Sequence, residues 1–134
     1  MTLLVDTSVW SLALRRDAPP DLPVTRALRA ALSGDDLVVT TGIVLQELLQ
    51  GAVRDSSRQL ITERFRAIAL VQPDRDDHIA AADIRNRCRA NGVQLGTIDA
   101  LLAALCIRRQ LTLLSTDRDF ADASRHCDVR LWGG

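Results

Sequence analysis

An α/β domain with three layers, a central and mostly parallel sheet flanked by helices, is the fold class this sequence predicts. Three observations carry the prediction. Short apolar runs recur at Thr2–Val5, Leu37–Thr41, Ile68–Val71 and Leu111–Ser115. They lack polar alternation, as strands covered on both faces do. The segments between them space their apolar residues with helical periodicity.

The elements follow in order. Thr2–Val5 reads as a buried first strand, and Thr7 or Ser8 is placed to cap a helix through Val9, Trp10, Leu12 and Leu14. Pro19-Pro20 and Pro23 mark a loop. Val24, Ala27, Leu28, Ala31 and Leu32 predict a second helix, stopped by Gly34. Leu37–Thr41 is a second strand, and Ile43–Gln50 a helix that Gly51 ends. Ser56–Ala67 is a helix with Leu60, Ile61 and Phe65 on one side. Ile68–Val71 is a short strand stopped by Pro73. Asp74–Ala90 is a long helix whose apolar stripe is Ile79, Ala80, Ala82 and Ile84, and Asn91-Gly92 ends it. Thr97–Arg109, capped by Thr97, is the next helix. Leu111–Ser115 is a strand, Asp119–Ser124 a helical turn, and Val129–Trp132 a last strand.

The 134 residues are enough for one domain with a real core, residues 1–134. Hydrophobic residues make up 47% and charged residues 25%, as in soluble globular chains. No apolar run approaches the ~20 residues that cross a bilayer. The first residues lack the basic region of a signal peptide and read as a strand instead. Cys88, Cys106 and Cys127 are an odd number without C-x-x-C spacing, which predicts free thiols in a reducing cytoplasm. Cys127 beside His126 has no second ligand pair for zinc, and His78 reads as an exposed helix residue. All 17 basic residues are arginine, so every mechanism that needs a catalytic lysine is excluded. The formal net charge is zero and gives no nucleic-acid signal. The pairs Arg15-Arg16 and Arg108-Arg109 read as solvated helix ends.

The informative residues are acids in unexpected company. Asp6 is the only charged residue in Met1–Leu14, Glu47 in Leu37–Val53, and Asp99 in Ala90–Ile107. A carboxylate drawn into an apolar element is costly unless something compensates it, and no basic residue lies in these stretches. Asp117 ends a fourth apolar run. Asp6 and Asp117 fall where a strand gives way to a turn or helix, the face where parallel sheets bind ligands. Asp99 lies in the first turn of its helix. Glu47 shares a helical side with Ile43 and Val44, toward the sheet. Singly, each acid has an ordinary reading as a turn, cap or dipole partner. Together they predict an anionic pocket for a hard divalent cation, Mg2+ or Mn2+. Asp6-Thr7-Ser8 lacks the second acid of a haloacid-dehalogenase phosphatase, and a response-regulator receiver needs paired early acids and a late lysine. Metal-assisted phosphodiester hydrolysis is the chemistry left.

Four segments carry a resemblance. Leu3-Leu4-Val5-Asp6-Thr7-Ser8-Val9-Trp10, Gln46-Glu47-Leu48-Leu49-Gln50-Gly51, Gly96-Thr97-Ile98-Asp99-Ala100-Leu101-Leu102-Ala103-Ala104 and Leu114-Ser115-Thr116-Asp117-Arg118-Asp119-Phe120 resemble, in order and spacing, the motifs of PIN-domain ribonucleases of the VapC toxin family. The resemblance implies a Mg2+- or Mn2+-dependent endoribonuclease, the toxin of a type II toxin–antitoxin module that inhibits translation and growth. It implies Asp6, Glu47, Asp99 and Asp117 as catalytic acids around the metal. Asp119, Thr7, Ser8 and Thr116 are implied to lie around them, Thr116 orienting Asp117 or the attacking water and Asp119 serving as an extra acid or as a helix cap. It implies in-line attack by an activated water, leaving 5′-phosphate and 3′-hydroxyl ends. It also implies a homodimer in the cytoplasm and a cognate VapB-type antitoxin, through which alone operator DNA is bound, with no membrane partner. A noncatalytic PIN-like binding module is the alternative.

Overall fold

A computed structural model describes residues 1–15 and 17–133 of the chain. The strands β1 (Thr2–Val5), β2 (Leu37–Thr41), β3 (Ala69–Val71), β4 (Thr112–Leu114) and β5 (Arg130–Leu131) form one sheet in the order β3-β2-β1-β4-β5. Every pairing is parallel, with Leu4 opposite Val39 on one side and Leu113 on the other. Leu3, Leu4, Val5, Leu113 and Leu114 are buried because helices cover both sheet faces. Each such side chain contributes about 1.5–3 kcal/mol by leaving water.

The helices are α1 (Thr7–Ala13), α2 (Pro23–Ser33), α3 (Gly42–Gly51), α4 (Asp55–Phe65), α5 (Arg75–Ala90), α6 (Thr97–Arg108) and α7 (Arg118–Ala123). α1 packs on α2 and α3, α3 on α4, and α5 on α6. The Trp10 and Phe65 rings, 4.7 Å apart, join α1 to α4. Among the described residues no helix is long and apolar enough to cross a membrane. Cys88 and Cys106 are buried free thiols, and burial pushes the Cys106 thiol up to about 12, so it stays protonated and inert.

Several local expectations are corrected. α1 begins directly after β1, so Asp6 rather than Thr7 or Ser8 is its N-cap. Gly96, not Thr97, is the N-cap of α6. Pro23 opens α2 as its first residue, where its missing N–H is no loss. The stripe expected on α5 at Ile79, Ala80, Ala82 and Ile84 is displaced. The buried residues are Asp77, Ala81, Ile84 and Cys88, while Ile79 is 55% exposed. Their i, i+4, i+7, i+11 spacing is set by where α6 docks. Arg15 is exposed, and its neighbour Arg16 lies outside the described residues.

The pair Arg108-Arg109 is no mere solvated helix end. Arg108 Nε and Arg109 Nη2 donate to the two carboxylate oxygens of Asp77 at 2.8 and 2.6 Å. Asp77 is 1% exposed, and its Oδ2 also accepts the Asp74 N–H in a reciprocal cap of α5. Burial alone would push this carboxyl up. The bonds from Asp74, Arg108 and Arg109 outweigh it and hold the group at about 2. The sequence does not reveal a pairing across 31 residues.

Both α5 and α6 end in the same turn. Val93 N–H donates to the Cys88 carbonyl and Leu111 N–H to the Cys106 carbonyl, each across a residue in the left-handed region. On α5 that residue is Gly92 (φ 79°), but on α6 it is Gln110 (φ 55°). Gln110→Gly is therefore expected to stabilise the chain by about 0.5–1 kcal/mol. Thermal unfolding would show a small rise; a fall would contradict this reading of the turn.

Candidate active site

In the order β3-β2-β1-β4-β5, the connections run to opposite sides of β1 and β4. That switch point leaves a crevice beyond the strand ends. Asp6 follows β1 there, and its N–H donates to the Leu114 carbonyl of β4 at 2.9 Å. Asp117 lies three residues past β4 and caps α7, accepting the Asp119 N–H at 2.9 Å. Asp119, expected as an extra acid or as the cap, is in the first turn of α7 and is not the cap. Glu47 comes from the second turn of α3, and Asp99 from the first turn of α6.

Asp6 is 7% exposed and makes no capping bond to its own helix. Its Oδ2 instead accepts Ser8 Oγ at 2.9 Å and Ser115 Oγ at 2.8 Å. Two hydroxyls on one oxygen leave Oδ1 without a donor among the described residues. The same serines brace the far wall. Thr116 N–H donates to Ser8 Oγ, and Asp117 N–H to Ser115 Oγ at 3.0 Å. Thr7 Oγ1 donates to Glu47 Oε1 at 2.9 Å, turning that half-buried carboxylate toward α1.

The four expected acids and Asp119 converge. Asp99, Asp117 and Asp119 each offer an oxygen within 4.8 Å of the others. Asp6 and Glu47 flank this trio rather than join it. Asp99 registers them all. Its carboxyl is raised to about 6, first by burial, then by the charges of Asp6, Asp117, Asp119 and Glu47. Among the described residues no ion pair reaches any of these five acids. A set of carboxylates without an ion pair among the described residues fits a hard divalent ion rather than a soft one.

Thr7 and Ser8 brace acids, whereas Thr116 is exposed and contributes its backbone N–H. Ser115, which the sequence reading did not single out, contacts both Asp6 Oδ2 and the Asp117 backbone N–H. Its position at the end of an apolar strand, two residues before an acid, was the available signal.

A parallel α/β sheet with five carboxylates gathered at its switch point defines an acid-centred α/β protein. The model of the PIN domain family matches residues 3–126. The chain belongs to the PIN-domain family. It is 32% identical over 129 residues to a protein named Ribonuclease VapC23 from Mycobacterium tuberculosis, covering 92% of this chain and 98% of that one. Its fold is similar to that of VapBC2 from Rickettsia felis, solved bound to a promoter DNA fragment, with a TM-score of 0.78, 18% identity and coverage of 98% and 97%. It is also similar to VapC20 of M. tuberculosis, described as a Sarcin-Ricin loop cleaving toxin, with a TM-score of 0.67, 19% identity and coverage of 96% and 98%.

Proposed function

We propose that this chain is a divalent-metal-dependent endoribonuclease and the toxin of a type II toxin–antitoxin module. The observation that carries the reading is the cluster of five unpaired acids at the switch point of a PIN-family sheet. The ribonuclease name of the relative and the toxin–antitoxin complexes among the similar folds support it.

Asp6, Glu47, Asp99 and Asp117 would hold Mg2+ or Mn2+, with Asp119 completing the oxygen set. When bound, such an ion supplies an activated water and neutralises charge on the phosphate. The chain's own residues do the rest. Ser8 and Ser115 fix the Asp6 carboxylate in one rotamer. Thr7 fixes Glu47, and Asp117 is fixed through its backbone bond to Ser115. Asp99, half-buried among the other acids, carries its charge at a cost that a bound cation would offset. Water would then add to the phosphodiester phosphorus as the bond to the 3′ oxygen breaks, the proton given up by the water being taken up by that oxygen, to give 5′-phosphate and 3′-hydroxyl ends.

The partners that follow are RNA as substrate, a second copy of the chain, and a VapB-type antitoxin that carries the operator-DNA contact, all in the cytoplasm. An arginine of the antitoxin would suit the acid cluster, since one guanidinium binds two carboxylate oxygens.

The test is cleavage of a panel of structured RNAs by protein separated from its partner, with Mg2+, Mn2+ or EDTA. Metal-dependent cuts with 5′-phosphate ends are expected. RNA binding without cutting would favour the noncatalytic alternative. Co-purification with the neighbouring open reading frame, through a tag on one chain only, tests the antitoxin.

A further inference from the structure

Five acids attract a cation but repel a phosphodiester, so binding energy for RNA must come from beside them. The chain holds two tryptophans, two phenylalanines and no tyrosine. Trp10, Phe65 and Phe120 are buried at 4%, 5% and 1% exposure. Trp132 alone is part-exposed. It lines a cleft of about 250 Å³ with Ser115, Thr116, Asp117, Arg118 and Leu131. The cleft therefore shares Ser115 and Asp117 with the acid centre. Trp132 N–H donates to the Leu113 carbonyl at 2.9 Å, which pins its backbone beside β4. Arg118 is exposed and pairs with no acid among the described residues.

We infer that this cleft is a nucleobase subsite: an unpaired base adjoining the scissile phosphate stacks on Trp132, while Arg118 contacts the RNA backbone. The inference rests on the ribonuclease reading above and deepens it. Stacking on an aromatic face is worth about 1–3 kcal/mol per base and tolerates any base. An indole can reach a base only where the RNA is unstacked, so this subsite needs a base that is free of a duplex. A guanidinium beside the cleft matches the planar geometry of a phosphate.

The probe is a single-stranded RNA 12-mer spanning a site that the wild-type protein cuts in the panel above. Trp132→Ala is expected to raise KM about 10-fold, within the range stacking allows, and to leave kcat within about 3-fold. Trp132→Phe should restore most of the loss, because its ring still stacks. Tryptophan emission gives an independent reading that needs no truncated side chain. The 12-mer should quench wild-type emission, and the quench should vanish in Trp132→Phe, which keeps only the buried Trp10. A wild-type KM in Trp132→Ala, no quench by bound RNA, or equal binding of the 12-mer annealed to its complement would overturn the inference. Trp132 serving only an antitoxin side chain would appear as the first of these, with antitoxin affinity lowered. Failure of the wild type to cut any RNA would instead overturn the ribonuclease reading, and this subsite with it.

Discussion

Asp99→Asn is expected to lower RNA cleavage at least a hundredfold while raising the stability of the metal-free protein. Asparagine keeps the shape but removes a charge that a divalent ion needs, and a direct ligand should cost at least as much as the 10–100-fold typical of outer partners. The stability gain has the opposite sign for a physical reason. The native carboxyl, at about 6, binds its proton more tightly than the unfolded one at 3.8. Ionising Asp99 therefore subtracts stability as pH rises from about 4 to about 6, and the deficit persists above. The variant escapes it. With screening by nearby solvent, the gain above pH 6 should be on the order of 1–2 kcal/mol, and it should fade below pH 4. Cleavage assays and melts across pH check both halves. Near-wild-type cleavage by a folded Asp99→Asn would remove the acid from the site.

Asp77→Ala, away from the acid cluster, should destabilise the chain by about 3 kcal/mol. Removing one member of a buried ion pair costs about 3–5 kcal/mol. The lower end applies because side chains of Arg108 and Arg109, 40% and 37% exposed, can rehydrate. The same change removes the return half of the capping box, in which Asp77 Oδ2 accepts the Asp74 N–H, and so loosens α5 against α6, the helix that presents Asp99. The pH dependence runs opposite to that of Asp99. A carboxyl at about 2 in the native state and 3.8 unfolded contributes fully above pH 4, and the contribution is lost as pH falls toward 2. Chemical denaturation of wild type and variant at pH 7 and pH 2.5 should show the gap closing in acid. An equal gap at both values would contradict it.

The sheet was legible because its strands are apolar runs without alternation, a pattern only two-sided burial explains. Asp6, Glu47 and Asp99 stand out for a related reason, each being the lone charge in a mostly apolar stretch, and Asp117 because it ends such a run; each has an ordinary reading alone, and only the four together point to a pocket. What stayed hidden depends on partners distant in sequence. Asp77 is in sequence one more acid at a helix start, and only packing of α5 on α6 brings Arg108 and Arg109 to it. Ile79 fitted a helical stripe that the docking of α6 then rotated away. Ser115 touches Asp6 across 109 residues, which no local pattern encodes. Trp132 read as the end of a strand, and its meaning rests on every other Trp and Phe being buried.

The central claim, that this acid cluster holds a divalent ion, is tested most directly by the melting temperature of the purified free protein titrated with Mn2+ after EDTA treatment. An ion that binds only the native state stabilises it by about 2.7 kcal/mol at a hundred times its dissociation constant. The expected result is a concentration-dependent rise for the wild type, and an Asp99→Asn melt that starts higher and barely responds. A wild-type melt that ignores millimolar Mn2+, or a response equally large in Asp99→Asn, would contradict the account.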